Sequence, residues 1–379
     1  MAQNGAVLRT ARISFLCAAF IALTSCELRG AGEPMRRDFM LGVDTNYALE
    51  MEAHGSRWKW NGQEQELFAG MQKQGARRLR VRLWTEDDGV NGKSYATEVV
   101  ERAMRAGLNS YLVIFLSENW ADLTKQPLPV IWKDLSLEQR AEAVRKYSRG
   151  VVEHFRAHGL TSHLYEVGNE IDYGVCGVFP GRHARKNPEH LSRHNWPDAA
   201  QLILACEADV KAADPDAKFI LHIAHWWDAD FCVAFFRFML ERQVQIDFAG
   251  LTYFPSSNIG NSLTFDQFHA PIDRVTSSIN RPVIIPETGY PSTADFHGQF
   301  ARWRKEVPGY PLMPEGQERW LRDFLKFCAD NPKIAGAFYW SPEWYGEGMW
   351  KTFALFDTDR NARPAWQAFR PVNGPAVSR

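Results

Sequence analysis

The 379-residue chain carries 44 Lys and Arg against 45 Asp and Glu, a balance that excludes the basic surface of a nucleic-acid binder or of a protein held on anionic lipid by charge. Its length exceeds that of one sandwich or bundle and suits a single large α/β barrel. The 14 Trp, 24 Phe and 11 Tyr suit a packed core and also surfaces that grip sugar rings, whose C–H faces lie flat on indole.

The N-terminal segment reads as an export signal. Arg9 and Arg12 precede an apolar run, Ile13 to Leu23, too short to span a bilayer. The run closes in Leu23-Thr24-Ser25-Cys26, which resembles a bacterial lipobox whose cysteine is lipidated; the alternative is an ordinary signal peptide with an incidental cysteine. Glu27 follows instead of the Asp that retains lipoproteins at an inner membrane, so an outer-membrane or cell-surface anchor is expected, with a periplasmic or secreted protein as the alternative. Residues 1–26 are thus read as signal, 27–38 as a tether and 39–372 as one domain, a monomer that meets the membrane through Cys26 alone. Cys206, Cys232 and Cys328 fall in helix-like patterns as small buried hydrophobes, and no disulfide is specified.

Eight strand candidates follow: 39–47, 77–84, 109–117, 163–171, 218–225, 247–255, 281–291 and 335–344. Between them lie amphipathic runs such as 95–107, 135–159, 198–215 and 315–332, with apolar residues at three- and four-residue spacing. Strand–helix alternation repeated eight times predicts a single (β/α)8 TIM barrel, and no glycine-rich phosphate turn follows the first strand to favour an open doubly wound sheet.

In such a barrel the C-terminal strand ends face the active site. Here those ends carry Asp44 and Asn46, Arg80 and Arg82, Asn169 and Glu170, His222 and His225, Tyr253, Glu287 and Trp340. Glu170 in VGNEI and Glu287 in IIPETGYP are the expected catalytic pair. Glycosidic hydrolysis needs one carboxyl to protonate the leaving oxygen and a second to attack the anomeric carbon or activate water. Asn169, beside Glu170, is a natural donor to a sugar hydroxyl.

These motifs resemble those of clan A glycoside hydrolases. GVDTNY, RVRLW, NWADLTKQPLPVIWKDLS, GLTYFP, ETGYP, MPEGQERWLRDFL and FYWSPEW, in that order from about residue 40 to 370, resemble family 53, the arabinogalactan endo-β-1,4-galactanases. The resemblance implies a retaining mechanism with Glu170 as acid/base and Glu287 as nucleophile. It further implies that Asn169 binds the sugar 2-hydroxyl, Tyr253 orients Glu287, and Arg80 keeps Glu287 ionised; Arg82, of the same strand parity, is placed to share that task. Trp340 would floor the subsite of cleavage, with Trp120 and Asp122 shaping the groove. No cofactor or metal is implied.

Departures fall in the groove. Phe115 stands where the family has a histidine, YFPSSNIG lacks a Trp-His-Gly element, and Trp340-Ser341-Pro342-Glu343-Trp344 replaces Trp-Glu-Pro-Ala-Trp. His225-Trp226-Trp227-Asp228 replaces a glycine-rich turn, so Trp226 or Trp227 is expected either to stack on substrate or to pack beneath the loop. His183, His190 and His194 lie in a polar insertion with Arg182, Arg185, Lys186 and Arg193; lacking an HExxH arrangement, and surrounded by cations, they read as a solvated loop. There is no GxSxG elbow and no P-loop. The expected function is endo-β-1,4-galactanase-like hydrolysis of β-1,4-galactan or a related plant polysaccharide. The alternatives are a clan A endo-glycanase on another β-linked polymer and a non-catalytic surface glycan-binding lipoprotein.

Overall fold

A computed structural model describes residues 35–370, apart from 186, 258, 260–263 and 346–349. The signal with Cys26, most of the tether, Lys186, Asn258 and Gly260 therefore lie outside the described residues. Eight parallel strands close into a barrel: β1 (Met40–Asp44), β2 (Arg78–Leu83), β3 (Asn109–Ile114), β4 (Leu164–Val167), β5 (Lys218–Ile223), β6 (Phe248–Leu251), β7 (Val283–Thr288) and β8 (Ile334–Trp340). The seam closes where β1 pairs with β8, Asp44 opposite Trp340, and with β2, Val43 opposite Leu79. Each strand lies within its expected segment except that β8 begins one residue earlier, at Ile334. All eight are nearly continuous in buried residues, as parallel strands covered on both faces must be.

Helices return the chain between strands. The longest, Leu137–Ala157, begins in a capping box in which Ser136 and Gln139 satisfy each other's backbone N–H. The helix Phe265–Ile279 opens on the same device, built from Thr264 and Gln267. Among the described residues, none of the helices is long and apolar enough to cross a membrane. Two features were not anticipated. A short hairpin pairs Trp58–Trp60 with Gln63–Gln65, and the polar insertion, expected as loop, contains the helix Pro188–His194. That helix has its own signal, Asn187 capping His190 N–H with Pro188 at the first turn.

The barrel interior is layered. Met40, Tyr111, Val113, Leu164, Ile220, Ile284 and Phe338 form an apolar plug towards the N-terminal strand ends. Above it the inward positions turn polar, because β2, β4 and β5 next point Arg80, Glu166 and His222 inward. A fully buried polar layer survives only if its members satisfy one another. Their pairing builds the site.

Candidate active site

Arg80 is the hub. Its Nε and Nη2 grip the Glu166 carboxylate at 3.0 and 2.5 Å, Nη2 also donates to Asn169 Oδ1 at 2.7 Å, and Nη1 donates to Asp44 Oδ2 at 2.5 Å and Glu287 Oε1 at 2.7 Å. One planar guanidinium thus fixes three carboxylates and an amide, a task its rigid fork of donors suits and a lysine could not share. Burial alone would push Glu166 up, but Arg80 and His222 pull it down to about 2, so it stays a carboxylate.

A second path leads from Glu166 to Glu170. His222 places Nδ1 2.9 Å from Glu166 Oε1 and Nε2 2.8 Å from Thr252 Oγ1, and Thr252 Oγ1 lies 2.7 Å from Glu170 Oε1. With Glu166 ionised, Nδ1 carries the hydrogen of the first bond. Thr252 donates its hydroxyl to Glu170 Oε1, and the same hydroxyl oxygen faces His222 Nε2. The two candidate carboxyls are therefore joined by one hydrogen-bonded chain, Glu287–Arg80–Glu166–His222–Thr252–Glu170.

Their surroundings differ in the way acid and nucleophile require. Glu170 is 7% exposed; burial pushes its pKa well up, and the negative charges of Glu287, Asp122 and Asp172 push it further. Glu287 is 4% exposed, and burial raises it too, but there Arg80 and His222 pull back towards the ionised form. Of the two, Glu170 has the surroundings that favour the protonated form more strongly.

Backbone shape delivers Glu170. Gly168 has φ of +71°, and a Cβ there would lie 2.4 Å from Ile171 Cγ2, so only glycine fits the turn off β4. Glu170 itself has φ of +45°, uncommon for a side chain of its size. The loop after β3 holds this geometry: Gln126 Nε2 donates to the carbonyls of Asn169 and Glu170, and Asn169 Nδ2 donates to Ala121 O.

The remaining expected residues fall into three places. Asp44 and Arg82 form a buried pair at 3.3 Å, with the Arg82 guanidinium 4.7 Å from the Tyr47 ring, 5.2 Å from Trp120 and 5.5 Å from Trp340. Arg82 thus sits against Asp44 in an aromatic cage; the direct contact with Glu287 belongs to Arg80, while the charge of Arg82 favours the ionised Glu287 from further away. Trp120 and Trp340 meet edge to face, and Trp120 Nε1 donates to Asp122 Oδ2 at 2.8 Å; Phe115 packs against Trp120. Tyr253 lies elsewhere than expected. Its ring stacks on Phe268 at 4.1 Å, outside the barrel, and it meets Glu287 through the backbone, N–H to carbonyl at 2.9 Å. Trp226 is 2% exposed and packs towards Tyr253, while Trp227 is only partly covered.

Sequence reading missed Glu166, Thr252 and Gln126. Glu166 had a signal: a carboxylate in the middle of a buried strand, with the same inward parity as Gly168 and Glu170. Glu343 belongs to one of the groove departures. It is fully buried, accepts Tyr47 N–H at 3.0 Å and is pushed up to about 7 by burial.

The model of glycosyl hydrolase family 53 matches residues 40–369. The chain is similar to a Niallia circulans protein described as an uncharacterized protein in the bgaB 5' region, 30% identical over 81% of this chain and 84% of that one. It is similar also to an arabinogalactan endo-beta-1,4-galactanase of Cellvibrio japonicus, 25% identical over 93% of this chain and 96% of the other. In fold it resembles the GH53 catalytic domain of Ignisphaera aggregans, with a TM-score of 0.76, 23% identity and coverage of 90% and 99%. The expected barrel, the family resemblance and the glycoside hydrolase assignment hold together, and this chain belongs to glycosyl hydrolase family 53.

Proposed function

We propose that the protein hydrolyses the backbone of β-1,4-galactan or arabinogalactan with retention of anomeric configuration. The observation that carries the chemistry is the unequal pair: Glu287 held by Arg80 at 2.7 Å, and Glu170 buried among acidic neighbours with its proton. Glu287 attacks the anomeric carbon while Glu170 passes its proton to the departing glycosidic oxygen, leaving a glycosyl ester on Glu287. Glu170, now ionised, takes a proton from water; the hydroxide attacks the same carbon and frees Glu287. Arg80 serves both steps, because it stabilises the carboxylate before attack and when it leaves. Trp340, caged with Trp120 and Arg82, supports the sugar on the nucleophile's side. The galactan assignment draws on the named activity of the Cellvibrio relative and on the family motifs.

We further infer export as a lipoprotein anchored by Cys26 at the outer membrane or cell surface, acting as a monomer. The lipobox-like Leu23-Thr24-Ser25-Cys26 supports this reading. Reducing-sugar release from a panel of β-linked polysaccharides tests the substrate. Galactan should be cut by the wild type and not by Glu170→Gln or Glu287→Gln. Cleavage of a glucan or mannan instead would keep the chemistry and overturn the substrate, and binding without cleavage would overturn the hydrolase.

A further inference from the structure

We propose that Trp227 is a stacking platform for the sugar unit on the leaving-group side of the cut bond, positioned by a buried Asp172–His225 pair. The proposal rests on the assignment of Glu170 as proton donor.

The anchor lies two residues beyond Glu170. Asp172 is fully buried, and its carboxylate accepts the N–H groups of Ala224 and His225 at 3.0 and 3.1 Å and faces His225 Nδ1 at 2.5 Å. The turn leaving β5 is thereby tied to the segment that carries the acid. His225 Nε2 is 3.3 Å from the Tyr173 hydroxyl, so both ring nitrogens are engaged and the imidazole plane is fixed. Phe231 stacks on one side of that imidazole at 3.9 Å and 15°, and Trp227 lies against it at 4.6 Å and 35°. Trp226 stands perpendicular to Trp227 at 4.7 Å and is buried against the barrel. Asp228 caps the following helix, Ala229–Glu241, through Phe231 N–H, so the turn ends as rigidly as it starts.

Of the two tryptophans, then, one is packing and the other is a partly open indole with a fixed plane. Such a surface suits the C–H face of a neutral pyranose, and pre-setting its plane removes the ordering cost that a mobile tryptophan would incur. Its side of the groove follows from barrel order. Glu170 leaves β4, and Trp227 leaves the neighbouring β5; Glu287 leaves β7, with Trp340 on the neighbouring β8. The acid must face the departing oxygen, so the β4–β5 flank receives the departing chain and the β7–β8 flank the sugar that becomes bound to the enzyme.

The test compares two substrates that share the donor half: a galactan oligosaccharide, and the corresponding galactobiosyl fluoride, whose leaving group is a single atom. For Trp227→Ala the ratio of kcat/KM, oligosaccharide over fluoride, should fall at least about tenfold, mostly through KM, with Trp227→Phe between it and the wild type. Asp172→Asn should lower the same ratio through KM, since it loosens the plane; a loss confined to kcat, the effect of removing a negative charge near Glu170, would overturn the positioning role. Equal losses on both substrates, or no loss on either, would overturn the platform. Should Trp227→Ala fail to fold, the ratio for Trp227→Phe decides. A wild type that cleaves the fluoride while Trp227→Ala keeps the normal ratio refutes this inference alone; a wild type that cleaves neither refutes the site assignment as well.

Discussion

Glu166 touches no substrate in the proposed mechanism, yet its replacement has a calculable cost. In Glu166→Gln the charge facing Arg80 and His222 is lost, while the guanidinium stays buried with Asp44 and Glu287. The carboxyl is held at about 2 against an ordinary value near 4.5, a difference worth roughly 3 kcal/mol at neutral pH. Breaking a buried ion pair by removing one partner costs about 3–5 kcal/mol on general grounds, in agreement. The sign follows from the depressed pKa: the contribution is complete above pH ~5 and is lost as pH falls through ~4.5 towards ~2, with about 2 kcal/mol gone by pH 3. Chemical denaturation of wild type and Glu166→Gln between pH 3 and 8 measures it. The gap should be about 3 kcal/mol at pH 7 and shrink steeply below pH 4.5. A variant as stable as wild type at pH 7, or a gap that ignores pH, would refute the reasoning. kcat should fall at least about tenfold in the same variant, since Arg80 loses the fork that sets its plane under Glu287.

Gly168→Ala forces a Cβ to within 2.4 Å of Ile171 in a backbone conformation with φ of +71°, so it should destabilise by about 2 kcal/mol and cut activity further by shifting Glu170; thermal unfolding beside a kcat/KM measurement checks both. Glu207 belongs to the helix Trp196–Ala213; its Oε2 accepts Gln245 N–H at 3.0 Å, its Oε1 is buried without a partner among the described residues, and burial pushes it up to about 8. Its raised pKa makes wild-type stability fall as pH climbs from ~4.5 to ~8. Glu207→Gln should therefore flatten that decline and be more stable than wild type above pH 8 by of order 5 kcal/mol, which denaturation at pH 5 and 9 reads directly.

Much of this architecture is visible in the chain itself because parallel barrel strands leave a strong signature. RLRVRL, LYEV and VIIPET are buried on both faces, so they appear as short apolar runs broken only where a side chain has work to do. Arg80, Asn169, Glu170 and Glu287 stood out for that reason. What stayed hidden was direction and pairing. Arg80 and Arg82 share a parity, and only the folded barrel separates the one beneath Glu287 from the one caged by Tyr47, Trp120 and Trp340. Tyr253 sits one residue past Thr252, and that single step turns the threonine to Glu170 and the tyrosine ring out to Phe268. Trp226 and Trp227 present the same problem: adjacent residues, opposite environments.

The roles of the two carboxyls turn on which one bonds to the sugar. Incubation with a 2-deoxy-2-fluoro galactobioside bearing an activated leaving group, followed by peptide mass spectrometry, locates the trapped ester. The label should fall on Glu287, in the peptide containing Val283–Thr288, and be absent from the Glu287→Gln variant. A label on Glu170, or hydrolysis of natural substrate that proceeds with inversion and never traps, would contradict the assignment of roles on which the mechanism rests.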